Sequence, residues 1–385
     1  MSPDLKKASE APAHPPVRRI HELDGLRGML ALFVVCYHMY GPLAILRTTF
    51  AEKFPLLLQG WYPVDVFFLM SGFVMMHVYQ RAFSGTLHWA AFWQFMRARV
   101  ARLYPVHVAA MFLMLLCMLP AIYKSPDLYQ WGGRYSLGAF AGSLAMLHGP
   151  WIDYRSWNYP AWSISAEWHA YLLFPLLVPL ALRCRGVVAG LMLVASAVVP
   201  FTLYLQQLSP DPFPTNGWPV LMRVFPLFFG GMLLYRVAPV RWFSSGTAAL
   251  LFVGGTLVVL FFDKFSALAV LLAPPMIMAA LSENWFQSLL RRPTLLFLGK
   301  ISYSLYMTHA LVETFFVTLL QRVGLRFFNY DLGAHLGPSF LVWSAGIGVA
   351  LVLGYCTWRW VEEPARHWVM RVTTRSRGVV PVRSS

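Results

Sequence analysis

The chain has 385 residues, 58% of them hydrophobic and only 12% charged, with a formal net charge of +15. An ordinary soluble domain is about 25% charged, and a mean hydropathy of +0.56 leaves too little polar surface to cover a globule in water, so lipid must solvate much of the chain. The basic residues sit at the ends of apolar runs rather than in a nucleic-acid patch, and Cys36, Cys117, Cys184 and Cys356 stand singly, with no disulfide framework and no metal-ligand spacing.

Only helices or closed barrels satisfy their backbone hydrogen bonds in lipid. Runs such as LMLVASAVVPFTLYL are continuously apolar and lack the alternating polarity of barrel strands. The expected class is therefore all-α: a polytopic integral membrane protein of about ten transmembrane helices, with one short extra helix outside the bilayer core.

Residues 1–20 are polar, carry Lys6, Lys7, Arg18 and Arg19, and lack the apolar core of a cleaved signal peptide; they read as a cytoplasmic tail. The first apolar run spans 28–46, and the first helix reads HELDGLRGMLALFVVCYHMYG. Arg27 marks its cytoplasmic end, and His38 follows eleven residues later, roughly 16 Å deeper on a helix rising 1.5 Å per residue. A histidine at that depth suits a general base; equally, it suits a neutral hydrogen bond between two helices.

The second run, 61–80, opens WYPVDVFFLMSGF and places Asp65 about one turn inside the outer surface. Asp65 suits orientation of a histidine or pairing with an arginine. Ser71 and Gly72 read as helix-packing residues, since no GxSxG elbow surrounds them. Before the third run, 103–122, the stretch FMRARVARLYPVH brings Arg99 and Arg102 onto one helix face, ahead of a break at Tyr104–Pro105. With Arg27 on the same membrane side they suit a phosphate-rich ligand, the alternative being ordinary topogenic charge.

The run at 136–148 is short for a span and reads as a re-entrant or surface helix. In NYPAWSISAEWHAYLLFPL, Glu167 and His169 fall near the outer start of the run 164–182. Further runs lie at 187–206, 218–236, 247–262, 266–282, 296–320 and 338–358. In the ninth, LGKISYSLYMTHALVE sets His309 near mid-depth behind Tyr303, Ser304 and Tyr306, a group that suits a polar cavity or mutual satisfaction. If the basic connections are cytoplasmic, 123–163 lies wholly outside and ten spans leave both termini in the cytoplasm. The domain plan is a tail at 1–20, a transmembrane domain at 21–368 and a disordered tail at 369–385.

Six stretches in one order, LDGLRGMLALFVVCYH, VDVFFLMSGF, RARVARLYP, WSISAEWHAYLLFP, LGKISYSLYMTH and WVEEPAR, give the chain its resemblance to the acyltransferase 3 family of membrane O-acyltransferases. The resemblance covers about residues 21–368 and is to the stand-alone form, without a hydrolase-like domain. It implies an acyl-CoA donor, often acetyl-CoA, gripped by Arg27, Arg99 and Arg102 beside Tyr104. His38 would serve as base or acyl relay, supported by Asp65 or Glu167, with Ser71, Tyr303, Tyr306 and His309 lining the cavity. The acceptor would be a hydroxyl of a carbohydrate or another small molecule, such as a cell-envelope polysaccharide, reached at the outer side of the inner (plasma) membrane. Trp168 and His169 depart from the residues common at those positions. No permanently bound cofactor, metal or nucleic-acid partner is implied, because a thioester is already activated; the expected partners are acyl-CoA, the acceptor and membrane lipid. The rival reading is a transporter or flippase of an envelope intermediate, which also embeds ionisable residues. Against it, no two halves show corresponding broken helices, and the arginines cluster on one side.

Overall fold

The computed structural model describes residues 19–124, 133–152, 154–206, 214–237 and 246–375, and among these it contains helices, turns and loops but no strand. The principal helices are α1 (His21–Met39), α2 (Ala44–Lys53), α3 (Tyr62–Tyr79), α4 (Trp89–Lys124), α5 (Leu137–Leu144), α6 (Trp162–Arg183), α7 (Gly186–Gln206) and α8 (Pro219–Val237). They continue with α9 (Gly246–Phe261), α10 (Ala269–Leu281), α11 (Trp285–Leu290), α12 (Pro293–Leu311), α13 (Thr318–Phe328), α14 (Leu336–Thr357) and α15 (Glu363–Arg375). A π turn, Val312–Val317, joins α12 to α13, and a second, Trp358–Glu362, joins α14 to α15.

Among the described residues, six helical stretches are long and apolar enough to cross a membrane: Tyr62–Ala82, Trp89–Lys124, Tyr159–Arg183, Pro219–Val237, Pro293–Phe328 and Leu336–Val369. Three shorter apolar helices are Gly186–Thr202, Gly246–Phe261 and Ser266–Leu281. α1 carries Glu22, Asp24 and Arg27 in its first two turns, which lowers its hydropathy below that of the six.

Several boundaries differ from the expectations. α1 begins at His21 and stops at Met39, rather than running on to 46, so His38 lies in its last turn. Gly41–Pro42 explains the stop: the residue before a proline is driven out of the helical region, and the Gly41 N–H turns back to the His38 carbonyl at 3.1 Å. α4 is one helix of 36 residues that passes through Pro105 and Pro120, so the expected break at Tyr104–Pro105 does not form. In a buried membrane helix, neighbouring elements compensate the lost backbone bond. The short extra helix is present as α5, but α2 and α11 are short as well. α15 runs to Arg375, past the expected start of a disordered tail; 376–385, Arg241 and the tail before Arg19 lie outside the described residues.

Glycine lets several helix pairs pack by near contact of their backbones. A Cβ on Gly28 of α1 would strike the backbone nitrogen of Gly299 on α12, and one on Gly231 of α8 would strike the Leu69 carbonyl on α3. Without a strong hydrophobic drive between helices in lipid, such close approach supplies the dispersion contact that holds them. α3 and α8 are also tied electrostatically: Arg223 Nε donates to Asp65 Oδ1 at 2.6 Å, and both side chains are fully buried. The remaining guanidinium nitrogens reach the Pro214 and Trp61 carbonyls, each at 3.2 Å. Asp65, expected to support His38, is thus committed to Arg223.

Two outcomes follow for the purified full chain in detergent. Arg223→Ala strands the Asp65 carboxylate and should cost about 3–5 kcal/mol of stability, read as a lowered melting midpoint. The Asp65→Asn, Arg223→Met double variant should lose less, because it leaves no charge behind. An unchanged midpoint in Arg223→Ala would remove the pair from the architecture. Gly28→Val should abolish monodisperse protein, whereas Gly255→Val, where an added Cβ meets nothing within 4 Å, should behave as wild type.

Candidate active site

At the end of the bundle where α1 begins, a cavity of about 430 Å³ opens among α1, α3, α4, α6 and α12. That volume lies within the range of small-molecule sites, roughly 300–1,000 Å³. Four guanidinium groups, Arg19, Arg27, Arg99 and Arg102, line it against two carboxylates, Asp24 and Glu167. Asp24 accepts from Arg19 Nε at 2.6 Å and from Arg27 at 3.4 Å. Glu167 accepts from the Tyr171 hydroxyl at 2.6 Å, and Tyr171 in turn meets the Ser71 hydroxyl at 3.0 Å.

The arginine helix face is built as the sequence spacing requires: three residues apart on α4, Arg99 and Arg102 reach the same cavity. Arg99 is oriented by aromatic faces, with its guanidinium carbon 5.3 Å from the Tyr79 ring centroid and 5.6 Å from those of Phe95 and Tyr171. It donates to the Tyr79 hydroxyl at 3.1 Å, while its Nε is buried without a protein partner. Positive charge therefore exceeds negative at this mouth, and part of its donor capacity is unspent. Oriented guanidinium groups of this kind are suited to bidentate recognition of phosphate oxygens.

Farther in, the lining turns apolar through Val64, Phe67, Phe68 and Ile164, and it closes on Ser163 and Tyr306. The Tyr306 hydroxyl bonds Ser163 Oγ at 2.7 Å and the Pro160 carbonyl at 3.1 Å, and its ring stands perpendicular to Phe67 at 6.2 Å. Behind this closure lies His309, fully buried, with Nδ1 2.6 Å from the Tyr306 carbonyl and Nε2 without a partner. Its ring is 4.8 Å from that of His38.

His38 Nδ1 lies 2.8 Å from the Tyr159 hydroxyl and 3.9 Å from Glu313 Oε2, and the same Tyr159 hydroxyl donates to Glu313. The His38 and Glu313 side chains keep 23% and 20% of their surface open, so the cluster is accessible although it does not line the arginine cavity. Tyr159 stands in the 3-10 turn before α6, fixed by Pro160. Glu313 stands in the π turn after α12, a local unwinding frequent at functional sites. The Arg134 and Arg155 guanidinium groups each lie 5.5 Å from the Tyr159 ring centroid.

Arg27, Arg99, Arg102, Glu167, Ser71, Tyr303 and Tyr306 meet around one cavity. Glu167, expected as an alternative support for His38, lines the arginine cavity instead. Tyr104 is outside the lining, in edge contact with His107 and Trp168. His309 packs on His38 rather than on the cavity. His169 bonds the Ser165 carbonyl and Trp151. Tyr159 and Glu313 were not singled out from the sequence; the signal available was an acidic residue one helical turn after His309, in THALVE.

A family model describing an acyltransferase domain, that of acyltransferase 3, matches residues 20–359. Acyltransferase MdmB of Streptomyces mycarofaciens is 28% identical over 95% of this chain and 95% of its own length. Protein 2 in picA locus of Rhizobium radiobacter is 38% identical over 100 residues, 26% of this chain; the match spans 46% of that relative. No solved structure matches the chain significantly.

Proposed function

The chain belongs to the acyltransferase 3 family, and on that premise we propose that it transfers an acyl group, with acetyl the expected one, from acyl-CoA to a hydroxyl of a carbohydrate or other small acceptor. The donor phosphates dock on Arg27, Arg99 and Arg102, and the flexible pantetheine arm carries the thioester along the apolar stretch and, as the Tyr306 side chain that closes the cavity moves aside, on to His38. The acceptor approaches His38 from the other end of α1. The observation that carries this reading is the serial arrangement along one helix: an under-neutralised arginine cavity at its start, and an accessible histidine with a carboxylate nearby in its last turn.

The chemistry asks for a base. His38 Nε2 takes the proton of the acceptor hydroxyl as its oxygen attacks the thioester carbonyl. The tetrahedral intermediate collapses with cleavage of the C–S bond, and the imidazolium returns its proton to the leaving CoA thiolate. The products are the acyl ester and free CoA. Because the thioester is already activated, no metal or resident cofactor is required in this scheme.

The six long apolar helices, the three shorter ones and α1 fall in the order of ten spans, which supports a ten-span, multi-pass protein with both termini cytoplasmic in the inner membrane. The basic residues at the arginine end then follow the positive-inside rule. Residues 21–368 form the transferase domain in this plan, and the outer acceptor is an envelope carbohydrate or a related hydroxyl compound.

The test uses membranes from cells expressing the full-length chain, supplied with radiolabelled acetyl-CoA. His38→Ala should lower label transfer to membrane and envelope material by about 10²–10⁴-fold, without loss of folded protein; undiminished transfer would remove His38 from the reaction. In detergent, Arg99→Ala with Arg102→Ala should weaken binding of acetyl-CoA by about 100-fold or more, each charge-assisted contact contributing about 1.5–3 kcal/mol. Equal affinity would take both arginines out of the donor site.

A further inference from the structure

We propose that Tyr159 and Glu313 form a relay that holds His38 in the one tautomer able to act as a base; the proposal rests on the acyl-transfer role of His38 given above. The inference is one of proton bookkeeping. A phenol has a single proton to donate and lone pairs to accept with. The Tyr159 hydroxyl spends its proton on the Glu313 carboxylate. It can then meet His38 Nδ1, at 2.8 Å, only as an acceptor. His38 must therefore carry its proton on Nδ1, which leaves the Nε2 lone pair to receive the acceptor proton.

The arrangement has the logic of a histidine oriented by a carboxylate, with a tyrosine inserted between the two. When His38 becomes imidazolium, the Glu313 carboxylate stands 3.9 Å from Nδ1 and stabilises the charge through the intervening phenol. Proton positions on Tyr159 and on Nδ1 do not change through the cycle; only Nε2 gains and loses a proton. Tyr159 and Glu313 are thus positioning residues, and neither contacts the reacting atoms.

The surroundings keep the pair in register. His309, on α12, packs a ring against His38 at 4.8 Å, and its own Nδ1 is held by the Tyr306 carbonyl. Tyr37 meets the His38 ring edge-on at 4.8 Å. Arg134 and Arg155 face the Tyr159 ring and supply positive charge near Glu313. The π turn sets Glu313, four residues after His309, beside the Tyr159 hydroxyl.

Two variants separate the parts of the relay. Glu313→Gln keeps a hydrogen-bond acceptor for Tyr159 but removes the charge. Tyr159→Phe removes the bridge and leaves Nδ1 without its acceptor. With radiolabelled acetyl-CoA as donor and expressing-cell membranes as acceptor source, each should lower kcat at least about tenfold. KM for acetyl-CoA should stay at the wild-type value, because the donor arginines are untouched. Glu313→Gln should also move the acidic limb of the pH–rate profile to lower pH, since the imidazolium has lost its counter-charge. That displacement is not expected from a residue whose role is packing alone.

Wild-type kcat and an unmoved acidic limb in Glu313→Gln and Tyr159→Phe, alongside an inactive His38→Ala, would overturn the relay and leave the base in place. Full transfer by His38→Ala would remove base and relay together.

Discussion

A charge placed in a lipid-solvated bundle must find an opposite charge or a polar ligand, because the surrounding helices offer neither water nor spare backbone donors. Arg223 and Asp65 meet that demand completely: both are fully buried, and the guanidinium is also bonded to two backbone carbonyls. The pair fixes α3 against α8, where Gly231 already lets the backbones touch. Elsewhere the same requirement is met differently. Glu22 on α1 takes the Arg291 guanidinium after α11, and the buried Glu362 takes the Ser304 hydroxyl from α12. The arginine cavity departs from that rule, with four cations against two carboxylates.

α1 organises the chemistry because it presents two sites along one rigid rod. Arg27 and His38 are eleven residues apart, roughly 16 Å along the axis. The intimate packing at Gly28 and Gly299 locks α1 to α12, which itself delivers Tyr303, Tyr306 and His309. One helix pair therefore sets the spacing between the arginine cavity and the His38 cluster. Between the sites stand Tyr306, Phe67 and His309, so the arginine cavity and the His38 cluster touch through a closed contact of side chains rather than an open channel.

Helix extent was largely legible in the sequence; partnership was not. Apolar run length and terminal charge located the long helices to within a few residues at most ends, because those signals are local. The face shared by Arg99 and Arg102 was equally readable from a spacing of three. Asp65 could not be assigned, since its partner Arg223 lies 158 residues away and nothing local distinguishes an arginine-bound from a histidine-bound carboxylate. Glu167 was placed by its distance along α6, which says nothing about whether its side chain turns to the arginine cavity or away from it. Tyr159 and Glu313 escaped notice because one stands in a 3-10 turn and the other in a π turn, where the regular helical period no longer relates sequence position to facing direction. Tyr104 and Pro105 misled for a related reason: proline marks a helix end in water, yet here α4 runs through it.

The most direct test of the account is a structure of the full chain with a non-hydrolysable thioether analogue of acetyl-CoA. The account predicts the analogue's phosphates within hydrogen-bond reach of Arg99 and Arg102, with its acyl end at Tyr306, pointing toward His38. Analogue bound at the mouth formed by His38, Tyr159 and Glu313, with the arginine cavity empty, would contradict it.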